Sequence, residues 1–84
     1  MPLTAEEQMI LIQHVIKRHP SEQAIVEKLG PVMPEKEVQR GIDSLIGTQR
    51  VRRIGPDILQ NNESHTELPV LSESLAGIID GLDL

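Results

Sequence analysis

Arg50, Arg52 and Arg53 fall within four residues of one another, and Lys36, Gln39, Arg40 and Ser44 lie shortly before them. Arginine and glutamine can form paired hydrogen bonds to the edges of guanine and adenine, and a serine hydroxyl can serve either base. Lysine and arginine also neutralise phosphate. The chemistry this set points to is therefore recognition of duplex nucleic acid. Other chemistries lack their residues. There is no cysteine, which removes disulfides, thiol nucleophiles and cysteine-ligated metal sites. His14 and His19 are five apart, which does not align them on one helix face, and His65 stands far along the chain, so no metal ligand set is expected. No Ser, His and Asp spacing suggests a nucleophile, and no glycine-rich loop leads into a helix, so neither an enzyme nor a cofactor is expected. Phe, Tyr and Trp are absent, which leaves no platform for stacking unpaired bases.

These residues need elements to hold them. From Pro34 to Gly47, Val38, Ile42, Leu45 and Ile46 repeat at the spacing that lays one apolar stripe along a helix. Lys36, Gln39, Arg40, Asp43 and Ser44 are then left facing outward. Proline is tolerated at the first helical position, where no amide is needed. Gly41 costs about 1 kcal/mol relative to Ala inside a helix. Close approach of another helix, the second being the natural candidate, would explain it. After Gln49 the period changes. Arg50 to Ile54, the turn Gly55-Pro56-Asp57, and Ile58-Leu59 read as a strand, a turn and a return strand. Alternation sends Arg50 and Arg52 to one face and Val51 and Arg53 to the other. A charge sharing a face with a core valine requires either that Arg53 extend from the sheet edge into water or that a bulge turn it outward.

Two earlier helices complete the body. Thr4 followed by Glu7 has the capping-box spacing, so the first helix begins there, with Met9, Ile12 and Ile16 inward, Val15 beside them, and Gln8, Gln13, Lys17 and Arg18 outward. Pro20 ends it near His19, and Ser21 caps a second helix over residues 22–29, which turns Ile25, Val26 and Leu29 inward and stops at Gly30. A connection of about four residues between the second and third helices makes them a helix-turn-helix.

The run Val38-Gln39-Arg40-Gly41-Ile42-Asp43-Ser44-Leu45, followed by Val51-Arg52-Arg53-Ile54, resembles the recognition helix and first wing strand of small bacterial and archaeal winged-helix regulators. The resemblance covers roughly residues 4–60 and is one of pattern. It implies a mainly helical α+β fold with a small β-hairpin: a three-helix core plus wing over residues 1–60. It also implies that the third helix enters the major groove of duplex DNA. On that reading Gln39 and Arg40 meet bases, Lys36 meets phosphate, Ser44 lies on the same DNA-facing side, and Arg50, Arg52 and Arg53 grip the backbone from the wing. The chain departs from the pattern at Gln49 and Arg50, where the family carries a glycine and an apolar residue. That departure implies a differently built turn and a short wing. The alternative function is a winged-helix protein-interaction module, an adaptor or complex subunit whose acidic C-terminal tail or third-helix face meets another protein. Three arginines on a short strand also serve simply to keep an edge solvated, and Glu35, Glu37 and Asp43 on the third helix repel phosphate.

Charge divides by position. The net charge is −5, with eight basic and thirteen acidic residues. All eight basic residues precede position 61, together with eight acids, so the body is balanced. The deficit lies in Glu63, Glu67, Glu73, Asp80 and Asp83. Residues 61–71 read as a linker, loose to Glu67 and extended over residues 68–71. Residues 72–84 read as an acidic amphipathic helix, capped by Ser72, in which Leu75, Ile78, Ile79 and Leu82 form one stripe. That stripe is expected to fold back on its own domain or to pair with a second copy as a dimer. Other occupants are a groove on a partner protein or the wing arginines, shielded by its acids. Gly77 and Gly81 weaken the helix in isolation. Apolar runs are short and interrupted by charge, so no membrane span or signal peptide is expected and the compartment expected is the cytoplasm.

Overall fold

The computed structural model describes residues 3–62 and 70–82. The order of elements is α1 (Ala5–Arg18), α2 (Glu22–Leu29), α3 (Glu35–Gly47), β1 (Val51–Gly55), β2 (Ile58–Asn61) and α4 (Glu73–Leu82). The fold is mainly helical with one small antiparallel sheet. Residues 68 and 69 of the expected extended stretch, the loose segment 63–67 and His65 lie outside the described residues.

Each start has a local cause. Thr4 Oγ1 accepts from the Glu7 amide at 3.1 Å while the Thr4 amide donates to Glu7 Oε1 at 3.0 Å, so the capping box forms as its spacing requires. Ser21 Oγ accepts from the Ala24 amide, and Ser72 Oγ from the Leu75 amide. Pro34 stands one position earlier than expected, as the N-cap of α3, in extended conformation.

The core is aliphatic throughout. Leu11, Ile12, Val15 and Ile16 of α1 meet Ile25 and Leu29 of α2 and Val38, Ile42 and Leu45 of α3, with Met33 from the connection and Val51 and Leu59 from the hairpin. Leu75 of α4 joins the same cluster, and Leu71, Ile78, Ile79 and Leu82 pack on its margin. Of the expected surfaces for that stripe, the chain's own first helix is the one it covers.

Three expectations for α1 and α3 need correction. Leu11 is the fully buried neighbour of Ile12, whereas Met9 is only partly buried. Gln13 is buried and not outward. It lies where the end of β2 crosses α1, and Asn61 Nδ2 donates to its backbone oxygen at 2.9 Å. The helix that comes close to Gly41 is α1 and not α2: a Cβ built on Gly41 would stand 2.5 Å from Ile12 Cδ1. One methyl of α1 occupies the place of the missing side chain.

The hairpin pairs Val51 with Asn61, Arg52 with Gln60, Arg53 with Leu59 and Gly55 with Ile58, which leaves Ile54 as a bulge. β2 therefore includes Asn61, one residue beyond the expected boundary of the body. A further bridge joins Ser21 to Ile58, and the Leu59 amide donates to the Pro20 oxygen at 2.8 Å. β2 thus has a partner on each side, and β1 is the edge.

The departure at Gln49 is resolved by its backbone. Gln49 has φ 63°, the left-handed conformation that glycine adopts most easily. The Gln49 amide donates to the Ile46 oxygen and the Arg50 amide to the Leu45 oxygen, the paired bonds that close a helix around a left-handed residue. The geometry of the turn is the one a glycine would make, built with a residue that resists it. The Gln49 side chain is exposed, and what this residue contributes is its carbonyl, which accepts from Asn62 Nδ2. Gln49→Gly is therefore expected to raise the unfolding free energy by about 0.5–1 kcal/mol, relief of left-handed strain outweighing the added freedom of the unfolded chain. A urea midpoint that falls would show that the side chain matters.

Candidate nucleic-acid interface

At 3.6 residues per turn, the side of α3 opposite Val38, Ile42 and Leu45 is occupied by Lys36, Arg40, Asp43 and Gly47, all exposed. Gln39 and Glu35 lie on one flank of that ridge. Ser44 and Glu37 lie on the other, where Glu37 Oε2 accepts from Gln8 Nε2 of α1 at 3.2 Å. The four candidate residues on α3 therefore do not share one face.

Gln39 is turned toward α2. Its amide donates to Glu35 Oε1 at 3.5 Å, and both residues line a groove of about 390 Å³ together with Glu22, Gln23, Val26, Glu27 and Asp57. Four carboxylates bound this groove. A phosphate approaching Gln39 would meet them first, so its neighbours work against a role for Gln39 at a base.

The hairpin divides its arginines. Cross-strand partners share a face, so Arg52 lies with Gln60 on the outer face, both exposed, while Arg53 lies with buried Leu59 on the face toward the helices. Arg50 is half-buried at the turn out of α3, where its amide and carbonyl are both used by the backbone. The bulge follows Arg53 at Ile54, so the outward turn expected for Arg53 goes to an isoleucine, which is 55% exposed.

Arg53 instead runs along the sheet to α2. Nη1 donates to Glu22 Oε2 at 3.0 Å and to the Pro56 carbonyl at 3.4 Å. The guanidinium is held above its ordinary pKa, first by the hydrogen bond and charge of Glu22 and then by the charges of Asp43 and Asp57. Three carboxylates already answer this one cation.

Asp57 was legible in the sequence only as a turn residue. Its carboxylate accepts from Ser21 Oγ at 2.6 Å and from the Gln23 amide at 3.3 Å, and its backbone oxygen accepts from the Glu22 amide at 3.0 Å. The tip of the hairpin thus supplies a second cap to a helix that begins more than thirty residues earlier. A Gly-Pro-Asp turn signals the bend; nothing in its spacing signals the helix it touches.

On the other side of the hairpin, Ile16, Lys17, Pro20, Ile54, Ile58, Leu59, Gln60 and Asn61 line an open cavity of about 370 Å³. No helix is long and apolar enough to cross a membrane, and no group of three or more His, Asp or Glu side chains is placed to hold a metal ion, among the described residues. Compared with known proteins, the chain matches no protein family, no curated protein and no solved structure.

Proposed function

We propose that the chain is a winged-helix domain, similar in pattern to small winged-helix regulators of transcription, and that it binds duplex DNA along α3 and β1. The fold reading is supported by a tightly joined α2 and α3 followed directly by a hairpin. The binding reading is carried by one observation. Among the described residues, no carboxylate lies within 4.0 Å of the charged groups of Lys36, Arg40, Arg50 or Arg52. Lys36 and Arg40 lie on α3, Arg50 at the turn out of it and Arg52 on β1, and a phosphate backbone is the kind of partner that four unpaired cations can serve. Lys36 and Arg40 are the central contacts on this reading, Arg52 meets the backbone from the hairpin, Arg50 flanks it, and Ser44 lies at one margin.

Neutralising three or four phosphates sets the slope of log affinity against log salt near −3 for random duplex, at about −0.9 per phosphate. Arg40→Ala and Arg52→Ala are each expected to make that slope shallower by about 0.9. Fluorescence anisotropy across a salt series measures both. An absence of binding at low salt would end the reading.

The groove between α2 and α3 favours a second one. Its carboxylates suit a basic segment of another protein, which would make the domain an adaptor or complex subunit, with or without a second copy. Saturable binding of a lysine-rich peptide, lost in Glu27→Gln and Glu35→Gln, would support this in place of duplex binding.

A further inference from the structure

We infer that Arg53 is a positioning residue: with Glu22 and Asp57 it ties the tip of the hairpin to the start of α2, and so sets where Arg52 stands relative to α3. The inference rests on the duplex-binding reading for its functional consequence, while the tether itself stands on geometry.

Adjacent arginines on a strand face opposite ways, and here the two directions have different company. Arg52 shares its face with exposed Gln60. Arg53 starts beside buried Leu59 and ends on Glu22 Oε2, while the same Nη1 also reaches the Pro56 carbonyl inside the turn. One nitrogen therefore holds both the helix and the tip. Asp57 closes the junction from the other side through Ser21 Oγ and the Glu22 and Gln23 amides. A two-stranded hairpin alone is marginal, and its tip is free to splay. This one is fastened at the tip by side chains and along β2 by the Ser21 bridge. The bulge at Ile54 lets five residues of β1 face four of β2 and bends the turn.

The ion pair is partly exposed, at 38% and 24% for the two side chains, so its loss leaves the core folded. That makes the tether separable from stability. If Arg53 gripped phosphate, Arg53→Ala would flatten the salt slope for random duplex by about 0.9. As a positioning residue it leaves the slope unchanged and lowers affinity by no more than about fivefold, the ceiling for an exposed ion pair.

The decisive comparison is Glu22→Gln against Glu27→Gln, which removes an equal charge from the same helix and groove but touches no tether. A freed, phosphate-binding Arg53 predicts that Glu22→Gln strengthens duplex binding more than Glu27→Gln does. The tether predicts that Glu22→Gln binds more weakly than Glu27→Gln, and that adding Arg53→Ala to it brings no further loss. A readout without DNA uses amide hydrogen exchange. Arg53→Glu should deprotect the Glu22 and Leu59 amides, and the reversed pair Glu22→Arg with Arg53→Glu should restore them. Should the parent bind no duplex, the binding reading fails while this exchange still decides the tether. Unchanged protection in Arg53→Glu overturns the inference.

Discussion

Leu75→Ala is expected to release α4 from the rest of the chain, at a cost of about 2–5 kcal/mol, the range for deleting a buried leucine and leaving a cavity. Leu75 is the residue of α4 that the core fully encloses, at 2% exposure, while Ile78, Ile79 and Leu82 are only partly covered. The helix has little else to keep it formed. It is ten residues long, below the length at which an isolated helix persists in water, and it contains Gly77 and Gly81, each costing about 1 kcal/mol relative to Ala. Its coil-to-helix balance therefore depends on docking. Amide hydrogen exchange should show protection lost over residues 73–82 and kept in α1, α2 and α3. Uniform loss would mean that α4 belongs to the same cooperative unit as the core, and unchanged protection would remove Leu75 from its place. The space beside both glycines is open, since a Cβ at either meets nothing within 4 Å. Gly77→Ala with Gly81→Ala should accordingly restore part of the helix in the Leu75→Ala background, because propensity rises without a clash.

Gly41→Ala is expected to destabilise the protein by about 1–3 kcal/mol, against the usual sign of a glycine-to-alanine change in a helix. Two effects compete. Helix propensity favours Ala by about 1 kcal/mol. Against it, the new methyl would stand 2.5 Å from Ile12 Cδ1, and Ile12 is fully buried, with other core side chains limiting where its end can move. Overpacking wins because the atom that must move is enclosed. Ile12→Val removes that end methyl, so the double variant should recover most of the loss, and the cycle should show a coupling of about 1 kcal/mol or more between positions 12 and 41. Thermal or urea unfolding of the four proteins measures it. Additive effects would mean that α1 and α3 do not meet at this point.

The competing roles of the arginines follow from the same close packing. Alternation along a strand already sets Arg53 on the face opposite Arg50 and Arg52, but the sequence does not say what each face meets. On a strand, neighbours separate. Arg53 is taken up by Glu22 of α2, with Asp43 and Asp57 nearby, and Arg52 is left in water. On α3 the same sorting turns Gln39 to the carboxylates of the α2 groove and leaves Lys36 and Arg40 on the open ridge. A mutational study that replaced all three arginines together would merge the proposed contact with the proposed tether.

Local chemistry made much of this fold readable before any coordinates. The capping box at Thr4, Ser21 ahead of α2, the stripe of α3, the turn at Gly55-Pro56-Asp57 and Ser72 ahead of α4 act over three or four residues, and a short-range signal survives in a linear string. Whatever joins distant positions did not. The bridge from Ser21 to Ile58, the cap that Asp57 lends to α2, the burial of Gln13 under β2, and the fit of Ile12 against Gly41 each depend on how helices and hairpin come to lie together. Residue types on a ribbon specify which charges the chain owns. Packing decides which of them remain unanswered, because a carboxylate thirty residues away can be 3 Å distant in space.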